Sequence, residues 1–224
     1  ENVIEIYEFD IDHDIAYLMM EYHPGKNIKM LIREGIDSFA YLAPKMILDS
    51  ARGLKYLHDQ GWVHRDIKPD NFLVNDDGEV KLIDFALSLR MRKGFSRLFG
   101  GRTKVQGTRS YMAPEQIRGK GLDAGTDIYS LGCMYYELLS GKLPFTGVSP
   151  EELLRKHLYA PIPVLSGANK NVTPDMSDLV GRMMAKERQQ RPASMEDVIR
   201  FIRGIRVFRS TPKPPGGKDK GNED

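Results

Sequence analysis

A chain of 224 residues with 41% hydrophobic and 29% charged residues is long enough for one large globular domain and ordinary in composition for one. Its formal net charge of +2 gives no overall attraction to nucleic acid, and its one cysteine, Cys133, excludes an intrachain disulfide. No apolar run approaches the roughly 20 residues that a membrane-spanning helix needs. We therefore expect a cytoplasmic protein without a membrane segment in this chain.

The predicted elements begin with two strands, Ile4–Phe9 and Ile15–Tyr22, separated by a charged turn. A short helix is predicted over Asn27–Arg33. The spacing of apolar residues by three and four positions predicts a longer helix over Pro44–Gln60. The first half of the chain thus combines a hairpin with helices.

The second half is predicted to be mainly helical. Two short strands, Phe72–Val74 and Val80–Ile83, flank a turn, and Asp127–Leu139 is apolar on nearly every side, as expected of a buried helix. Capping sequences predict three further helices, which begin near Ser149, Thr173 and Ser194. The proline- and glycine-rich residues from Thr211 onward predict a disordered tail or linker.

Residues 64–71 read His-Arg-Asp-Ile-Lys-Pro-Asp-Asn and place Asp66 two residues before Lys68 and five before Asn71. A carboxylate can accept a hydroxyl proton, a lysine can neutralise phosphate charge, and an amide oxygen can bind Mg²⁺. Phosphoryl transfer needs these three groups, because its catalysis consists mostly of positioning and charge stabilisation. The octapeptide therefore predicts a site for phosphoryl transfer.

The octapeptide resembles the H-R-D-x-x-x-x-N catalytic loop of protein kinases, and other motifs of that family follow in order. They are Asp84-Phe85-Ala86 in place of D-F-G, Gly107-Thr108, Ala113-Pro114-Glu115, Asp127 in an apolar run, and Arg191-Pro192. The resemblance covers most of residues 1–205. The chain resembles the eukaryotic-like (Hanks-type) serine/threonine protein kinases. The sequence of residues 107–116 is most similar to that of bacterial members.

The resemblance implies an α+β, protein-kinase-like fold with a mainly helical large lobe and two strands of the small lobe. It divides the chain into a remnant of the small lobe and hinge (1–25), the large lobe (26–208) and a disordered tail or linker (209–224). No G-x-G-x-x-G and no V-A-I-K precede residue 64. We therefore expect an incomplete kinase catalytic region, weakly active by itself. The alternative is a kinase-like pseudoenzyme that acts as a protein-binding scaffold.

The resemblance assigns the chemistry to four side chains. Asp66 would orient a protein Ser/Thr hydroxyl and accept its proton, and Lys68 would contact the γ-phosphate of ATP. Asn71 and Asp84 would hold Mg²⁺, with Mn²⁺ as an alternative. The structural alternatives are a loop-capping aspartate, a solvated lysine, and an amide that ties the loop backbone together.

The same resemblance implies an incomplete ATP site. Backbone groups of Glu21 and His23 would face the adenine edge, and Met20 would form the back wall of the pocket. Ile28 and Leu73 would form the apolar floor beneath the adenine. The sequence offers no roof for this pocket before residue 64.

Residues 85–114 contain seven basic and no acidic side chains, and Arg65 precedes the predicted catalytic acid. In kinases with that arginine, phosphorylation orders this segment. Thr103 is the first candidate phosphosite and Ser96 the second, by autophosphorylation within one copy or between two, while Thr108 is expected to bond Asp66 and Lys68 beside the substrate. Few aromatic residues interleave with the basic ones, which argues against nucleic acid as a partner.

The remaining motif residues are expected to be structural. His64 and Phe85 would pack together, Glu115 and Arg191 would form a buried ion pair, and Asp127 would hold the backbone of the catalytic loop.

Two local features predict departures from an ordinary kinase. Ala86 replaces a glycine, and alanine resists positive φ by about 1 kcal/mol, so the segment after Asp84 should be stiffer. Ile4, Ile6 and Leu18 should leave an exposed apolar edge on the hairpin.

Overall fold

The computed structural model describes residues 1–13, 15–91 and 106–215. Its strands are β1 (Ile6–Asp12), β2 (Ile15–Met20), β3 (Lys26–Asn27), β4 (Trp62–Val63), β5 (Phe72–Val74), β6 (Val80–Leu82) and β7 (Leu89–Arg90). Its α-helices are α1 (Ile28–Glu34), α2 (Ala43–Asp59), α3 (Pro114–Ile117), α4 (Ala124–Ser140), α5 (Pro150–Tyr159), α6 (Leu165–Ala168), α7 (Pro174–Met183) and α8 (Met195–Gly204). Within these residues, no helix is both long enough and apolar enough to cross a membrane.

The first two strands form an antiparallel hairpin in which Phe9 lies opposite Leu18. Every residue of both strands is exposed, so the predicted exposure of Ile6 and Leu18 is confirmed. The prediction was wrong for Ile4, which is only 5% exposed. Ile4 lies before β1 and belongs to the packed body of the protein.

The segment Asn2–Ile4 is fixed along β6. The Leu82 N–H donates to the Asn2 carbonyl at 2.9 Å, and the Ile4 N–H donates to the Leu82 carbonyl at 3.0 Å. On α2, a Cβ at Gly53 would lie 2.4 Å from the Asn2 oxygen, so only glycine lets the segment approach this closely. This pairing explains why Ile4 is buried while the following strand extends into solvent.

Helix α4 lies at the centre of the helical body, and nearly all of its residues are buried. It begins three residues before the predicted Asp127 because the Asp123 carboxylate caps it, accepting from the Gly125 N–H at 3.0 Å. It ends at Gly141, whose φ of +71° suits a left-handed cap. Helices α2 and α7 pack against α4, and α8 packs against α2 and α7.

Two small sheets frame the region between the hairpin and the helices. Strands β3, β5 and β6 form one sheet, in which Phe72 lies opposite Leu82. Strands β4 and β7 form the other, which pairs Val63 with Leu89. The octapeptide therefore runs from the end of β4 to the start of β5, and the segment that begins with Asp84 runs from β6 to β7.

Candidate active site

Asp127 on α4 holds the backbone of the loop that carries the octapeptide. Its carboxylate accepts the His64 N–H at 2.7 Å and the Arg65 N–H at 2.8 Å, and it lies 2.8 Å from His58 Nε2. Arg65 has a φ of +73°, a left-handed conformation that is unfavourable for a residue with a Cβ. The two backbone bonds from fully buried Asp127 offset that strain and fix the path of the loop.

Asp66 projects from this loop and is held on both carboxylate oxygens. Lys68 Nζ lies 2.6 Å from one oxygen, and the N–H and Oγ1 of Thr108 donate to the other at 2.8 and 2.9 Å. Burial alone would raise the pKa of the Asp66 carboxyl, but the Lys68 and Thr108 bonds outweigh it and hold that pKa below its usual value. The carboxylate is therefore ionised at neutral pH and fixed in direction.

Asn71 precedes β5 and Asp84 follows β6, so both residues lie at the same end of this antiparallel strand pair. The Asn71 side-chain N–H donates to the Asp66 carbonyl at 2.9 Å, and the Ile83 N–H donates to the Asn71 carbonyl at 2.9 Å. Asn71 therefore does tie the loop backbone together, while its amide oxygen stays available. An amide oxygen and a carboxylate suit Mg²⁺, which usually takes few protein ligands together with substrate phosphates.

The segment after β6 is strained at Asp84 rather than at Ala86. Asp84 has a φ of +62°, and its carboxylate accepts the Ala86 N–H at 3.3 Å. Ala86 is outside the left-handed region, so the expected alanine strain is absent in this conformation. Phe85 lies edge-on to the buried His64, with ring centroids 5.7 Å apart, which is the packing arrangement expected for this pair.

The chain after β2 has its side chains bonded to the β5–β6 hairpin. Lys81 Nζ lies 2.6 Å from the Glu21 carboxylate, and this hydrogen bond holds the pKa of Glu21 below its usual value. His23 Nε2 lies 3.2 Å from the Glu79 carbonyl. These contacts hold the segment expected to face adenine against the β5–β6 hairpin, with Met20 exposed at its start.

The predicted adenine floor is only partly compatible with the structure. Leu73 is half-buried on β5. Ile28 is fully buried in the core, because the Asn27 side chain caps α1 and turns its first residue inward. Ile28 therefore has no accessible surface to offer a ligand, and its assignment to the floor is wrong.

Glu115 and Arg191 form the expected buried ion pair. Two guanidinium nitrogens lie 2.7 and 3.0 Å from the two carboxylate oxygens, and the Arg191 side chain is 0% exposed. Arg191 also donates to the carbonyls of Ala185 and Gly125. Burial would raise the pKa of Glu115, but Arg191 outweighs burial and lowers it. The pair anchors α3 to the chain before α8.

A groove lies beside Asp66 on the side of Thr108. It has a volume of about 740 Å³ and is lined by residues 107–110, Met112, residues 147–150 and Leu153. Nearby, the buried Nε of Arg65 has no hydrogen-bond partner among the described residues, and its Nη2 donates to Gln106 at 3.4 Å. The candidate phosphosites Ser96 and Thr103 lie outside the described residues.

Sequence reasoning missed two polar residues that form hydrogen bonds between distant parts of the chain. His58, which contacts Asp127, continues the stripe of Ile47, Ala51 and Leu54 on α2, and a polar residue on such a stripe was the available signal. The buried Glu137 on α4 contacts Lys29 Nζ and the Tyr111 hydroxyl, each at 2.5 Å.

Comparisons with known proteins agree with this geometry. The family model described as "Protein kinase domain" matches residues 1–200. A probable serine/threonine-protein kinase of Clostridium perfringens is 32% identical over 205 residues, covering 92% of this chain and 30% of the relative. Serine/threonine-protein kinase PknB of Mycolicibacterium smegmatis is 34% identical over 195 residues, covering 85% of this chain and 31% of the relative.

A probable serine/threonine-protein kinase of Streptomyces coelicolor is 32% identical over 201 residues, covering 88% of this chain. The chain spans about 30% of the length of these curated relatives. The family model covers far more than half of the 224 residues, and its match includes every motif named above. The chain therefore belongs to the protein kinase family, and it is similar to bacterial serine/threonine members of that family.

Proposed function

We propose that this chain is a serine/threonine protein kinase catalytic region, which transfers the γ-phosphate of ATP to Ser and Thr hydroxyls of protein substrates. The observation that carries this proposal is the arrangement around Asp66. The ionised carboxylate of Asp66 is fixed by Lys68 and Thr108. The backbone carbonyl of Asp66 accepts from the Asn71 side chain, and the Asn71 backbone pairs with Ile83, the residue before Asp84.

In the proposed reaction, the substrate hydroxyl oxygen forms a bond to the γ-phosphorus while the bond from that phosphorus to the bridging oxygen of ADP breaks. Asp66 orients the hydroxyl and receives its proton. Because the Asp66 pKa is held low, this carboxylate is a weak base. The proton therefore moves late, when bonding to phosphorus has made the hydroxyl acidic.

Charge on the phosphates is balanced by Lys68 and by a divalent cation. Asn71 and Asp84 would hold Mg²⁺, or Mn²⁺ in its place, and the ion neutralises phosphate charge when it is bound. The bond from the Asn71 amide nitrogen to the Asp66 carbonyl fixes which way the amide points. The proposed catalytic residue Asp66 and the metal-binding residue Asn71 are thereby joined within one loop, and Asp84 lies after β6.

For the nucleotide, we propose that backbone groups of Glu21 and His23 contact adenine, with Met20 at the back wall and Leu73 beneath. The Lys81–Glu21 ion pair supports this, because it holds the segment against the hairpin that carries Leu73. No G-x-G-x-x-G precedes residue 64 to cover the phosphates. We therefore expect these 224 residues by themselves to turn over more slowly than about 1 s⁻¹.

Autophosphorylation at Thr103 or Ser96, within one copy or between two, belongs to the same proposal. The accessible end of the Arg65 guanidinium, whose Nη2 lies 3.4 Å from Gln106, offers donors to a phosphate group.

A cytoplasmic location fits the single cysteine, Cys133. Burial raises the pKa of the Cys133 thiol to about 12, so the thiol is unreactive. The pseudoenzyme alternative has less support, because the relatives cited above are named as kinases.

The proposal is tested by transfer from radiolabelled ATP to a mixed protein substrate. Asp66→Asn should lower the rate by about 100-fold to 10,000-fold, because the amide cannot accept the proton. Asp76→Asn, on the exposed β5–β6 turn, is the matched control and should transfer at the parent rate. The label should be on serine and threonine. Equal transfer by Asp66→Asn, or label confined to other residue types, would reject the proposal.

A further inference from the structure

Four arginines recur at every third position across the end of α8 and the chain that follows it. This arginine ladder consists of Arg200, Arg203, Arg206 and Arg209. All four residues are exposed, and no acidic residue occurs between Asp197 and Asp219. With a net charge of only +2 for the whole chain, the ladder is a local concentration of positive charge.

Most of the ladder forms no ion pair within the part of the chain that the structure describes. Arg200 Nη2 lies 2.6 Å from Asp197, whereas Arg203, Arg206 and Arg209 form no ion pair with any residue in the described ranges. The nearby helix α7 carries the exposed Asp175 and Asp178, and neither forms an ion pair with the ladder. Among residues 1–13, 15–91 and 106–215, these three guanidinium groups therefore have no counter-charge that an external anion would have to displace.

The backbone that carries the last two arginines is fixed although it is not helical. The Thr173 N–H donates to the Val207 carbonyl at 3.0 Å, and the Arg209 N–H donates to the Asn171 carbonyl at 2.7 Å. Val207 and Phe208 between the arginines are buried. The ladder is thus displayed on an ordered backbone, and binding through it requires little further ordering of the chain.

We propose that the arginine ladder is a contact surface for anionic phospholipid headgroups. Through this surface the folded protein would bind to a membrane as a peripheral protein. Guanidinium groups bind phosphate and carboxylate oxygens in a bidentate manner, and both occur in such headgroups. Because the apolar residues between the arginines face the core, the contact is electrostatic and does not insert into the bilayer.

A nucleic acid is the less suitable partner for the ladder. Single strands are bound through aromatic stacking as well as charge. Phe201, the aromatic side chain beside Arg200, is already covered by the guanidinium of Arg182 at 4.3 Å from the ring centroid. A lipid surface offers many anionic groups in one plane and needs no stacking platform.

Co-sedimentation with vesicles tests the proposal. The parent chain should bind vesicles of phosphatidylcholine with phosphatidylserine, and rising salt should weaken the binding. Each basic residue near an anionic surface contributes roughly 1 kcal/mol, or about fivefold in affinity. The triple variant Arg203→Gln, Arg206→Gln, Arg209→Gln should therefore bind about 100-fold more weakly. The matched control is Arg118→Gln, Lys142→Gln, Arg155→Gln, which removes the same charge from other exposed positions and should bind within about threefold of the parent.

Several results would overturn the assignment. Equal losses in both triple variants would mean that net charge alone drives binding. Equal binding to pure phosphatidylcholine would assign the contact to the apolar β1–β2 hairpin. The lipid assignment would also be rejected if the chain did not sediment with vesicles that contain phosphatidylserine. It would be rejected as well if the ladder bound a DNA duplex more tightly than it bound these vesicles. The thermal unfolding of both variants should match the parent, and if the ladder variant unfolds, each single substitution should still show a fivefold loss.

Discussion

His58 Nε2 lies 2.8 Å from the Asp127 carboxylate, so the group that holds the catalytic loop is itself held by a side chain of α2. His58→Leu leaves that carboxylate with its two backbone donors only. We expect kcat to fall about 10-fold to 100-fold through misplacement of Asp66, with a smaller change in KM for ATP.

A conservative substitution separates this positioning role from mere packing. His58→Gln places an amide N–H where Nε2 lies and should recover most of the lost kcat. The measurement is steady-state phosphoryl transfer beside urea unfolding of each variant. If the glutamine variant is as slow as the leucine variant at equal stability, the positioning role is wrong.

The proposed metal site at Asn71 and Asp84 predicts an Mg²⁺-dependent affinity for ATP. Asp84→Asn replaces a carboxylate by an amide of the same shape and should weaken ATP binding about tenfold or more when Mg²⁺ is present, a loss of about 1.4 kcal/mol. In EDTA, the variant and the parent should bind ATP equally. Calorimetric titration with and without Mg²⁺ checks this, with Asp76→Asn as the control. A loss of the same size in EDTA would mean that Asp84 acts on the fold instead.

The Glu115–Arg191 pair predicts a large stability effect. The Arg191 side chain is 0% exposed, and Glu115→Gln removes the counter-charge of its guanidinium. This substitution should lower the free energy of unfolding, measured by urea titration, by about 3–5 kcal/mol. The exposed ion pair of Lys26 and Glu34 serves as the comparison. Lys26→Gln should change the free energy of unfolding by less than about 1 kcal/mol.

The pH dependence of that difference provides a second check. Because the folded-state pKa of Glu115 is below its usual 4.5, the stabilisation by the pair is present above pH 4.5 and is lost as pH falls through the folded-state value. The difference in the free energy of unfolding between Glu115→Gln and the parent should therefore become smaller as pH falls. A gap that stays constant down to the acid transition would contradict the assigned ion pair.

His157 predicts a separate acid sensitivity. Its side chain is fully buried between Tyr129 and Phe145, and burial, with a contribution from Lys186, lowers its pKa from 6.5 to about 4. The unfolded chain therefore binds a proton at this residue that the folded chain does not bind between pH 6.5 and 4. Stability should fall across that range as pH is lowered, by roughly 3 kcal/mol from this group.

Urea unfolding at a series of pH values tests this assignment. His157→Gln should remove most of the pH dependence between pH 6.5 and 4, whereas His13→Gln, on the exposed β1–β2 turn, should retain it. Parallel curves for the parent and His157→Gln would show that another group causes the acid sensitivity.

Contacts of the Asp66 loop and of Glu115 could be predicted from sequence because the resemblance to protein kinases implied them. The contact of Thr108 with Asp66 and the pairing of Glu115 with Arg191 follow from short motifs in a fixed order. The exposure of single apolar residues could not be predicted in the same way. Ile4 and Ile6 are the same residue type, and only pairing with Leu82, far along the chain, buries the first of them.

The placement of Ile28 also depended on three-dimensional context. The Asn27 cap sets where α1 begins, and this start turns Ile28 into the core instead of toward a ligand. The two-residue strands β4 and β7 give no periodic signal, because a strand needs about four residues to show alternation. His58 belongs to no sequence motif, and its contact with Asp127, 69 residues away along the chain, exists only in the folded structure.

The central claim is that Asp66, Asn71 and Asp84 face one cleft that binds metal and nucleotide. The most direct measurement is anomalous diffraction from crystals of the chain grown with Mn²⁺ and a non-hydrolysable ATP analogue. Manganese should lie about 2 Å from the Asn71 amide oxygen and the Asp84 carboxylate, with the terminal phosphate facing Asp66. Manganese bound elsewhere, with Asn71 and Asp84 contacting neither metal nor phosphate, would contradict the account.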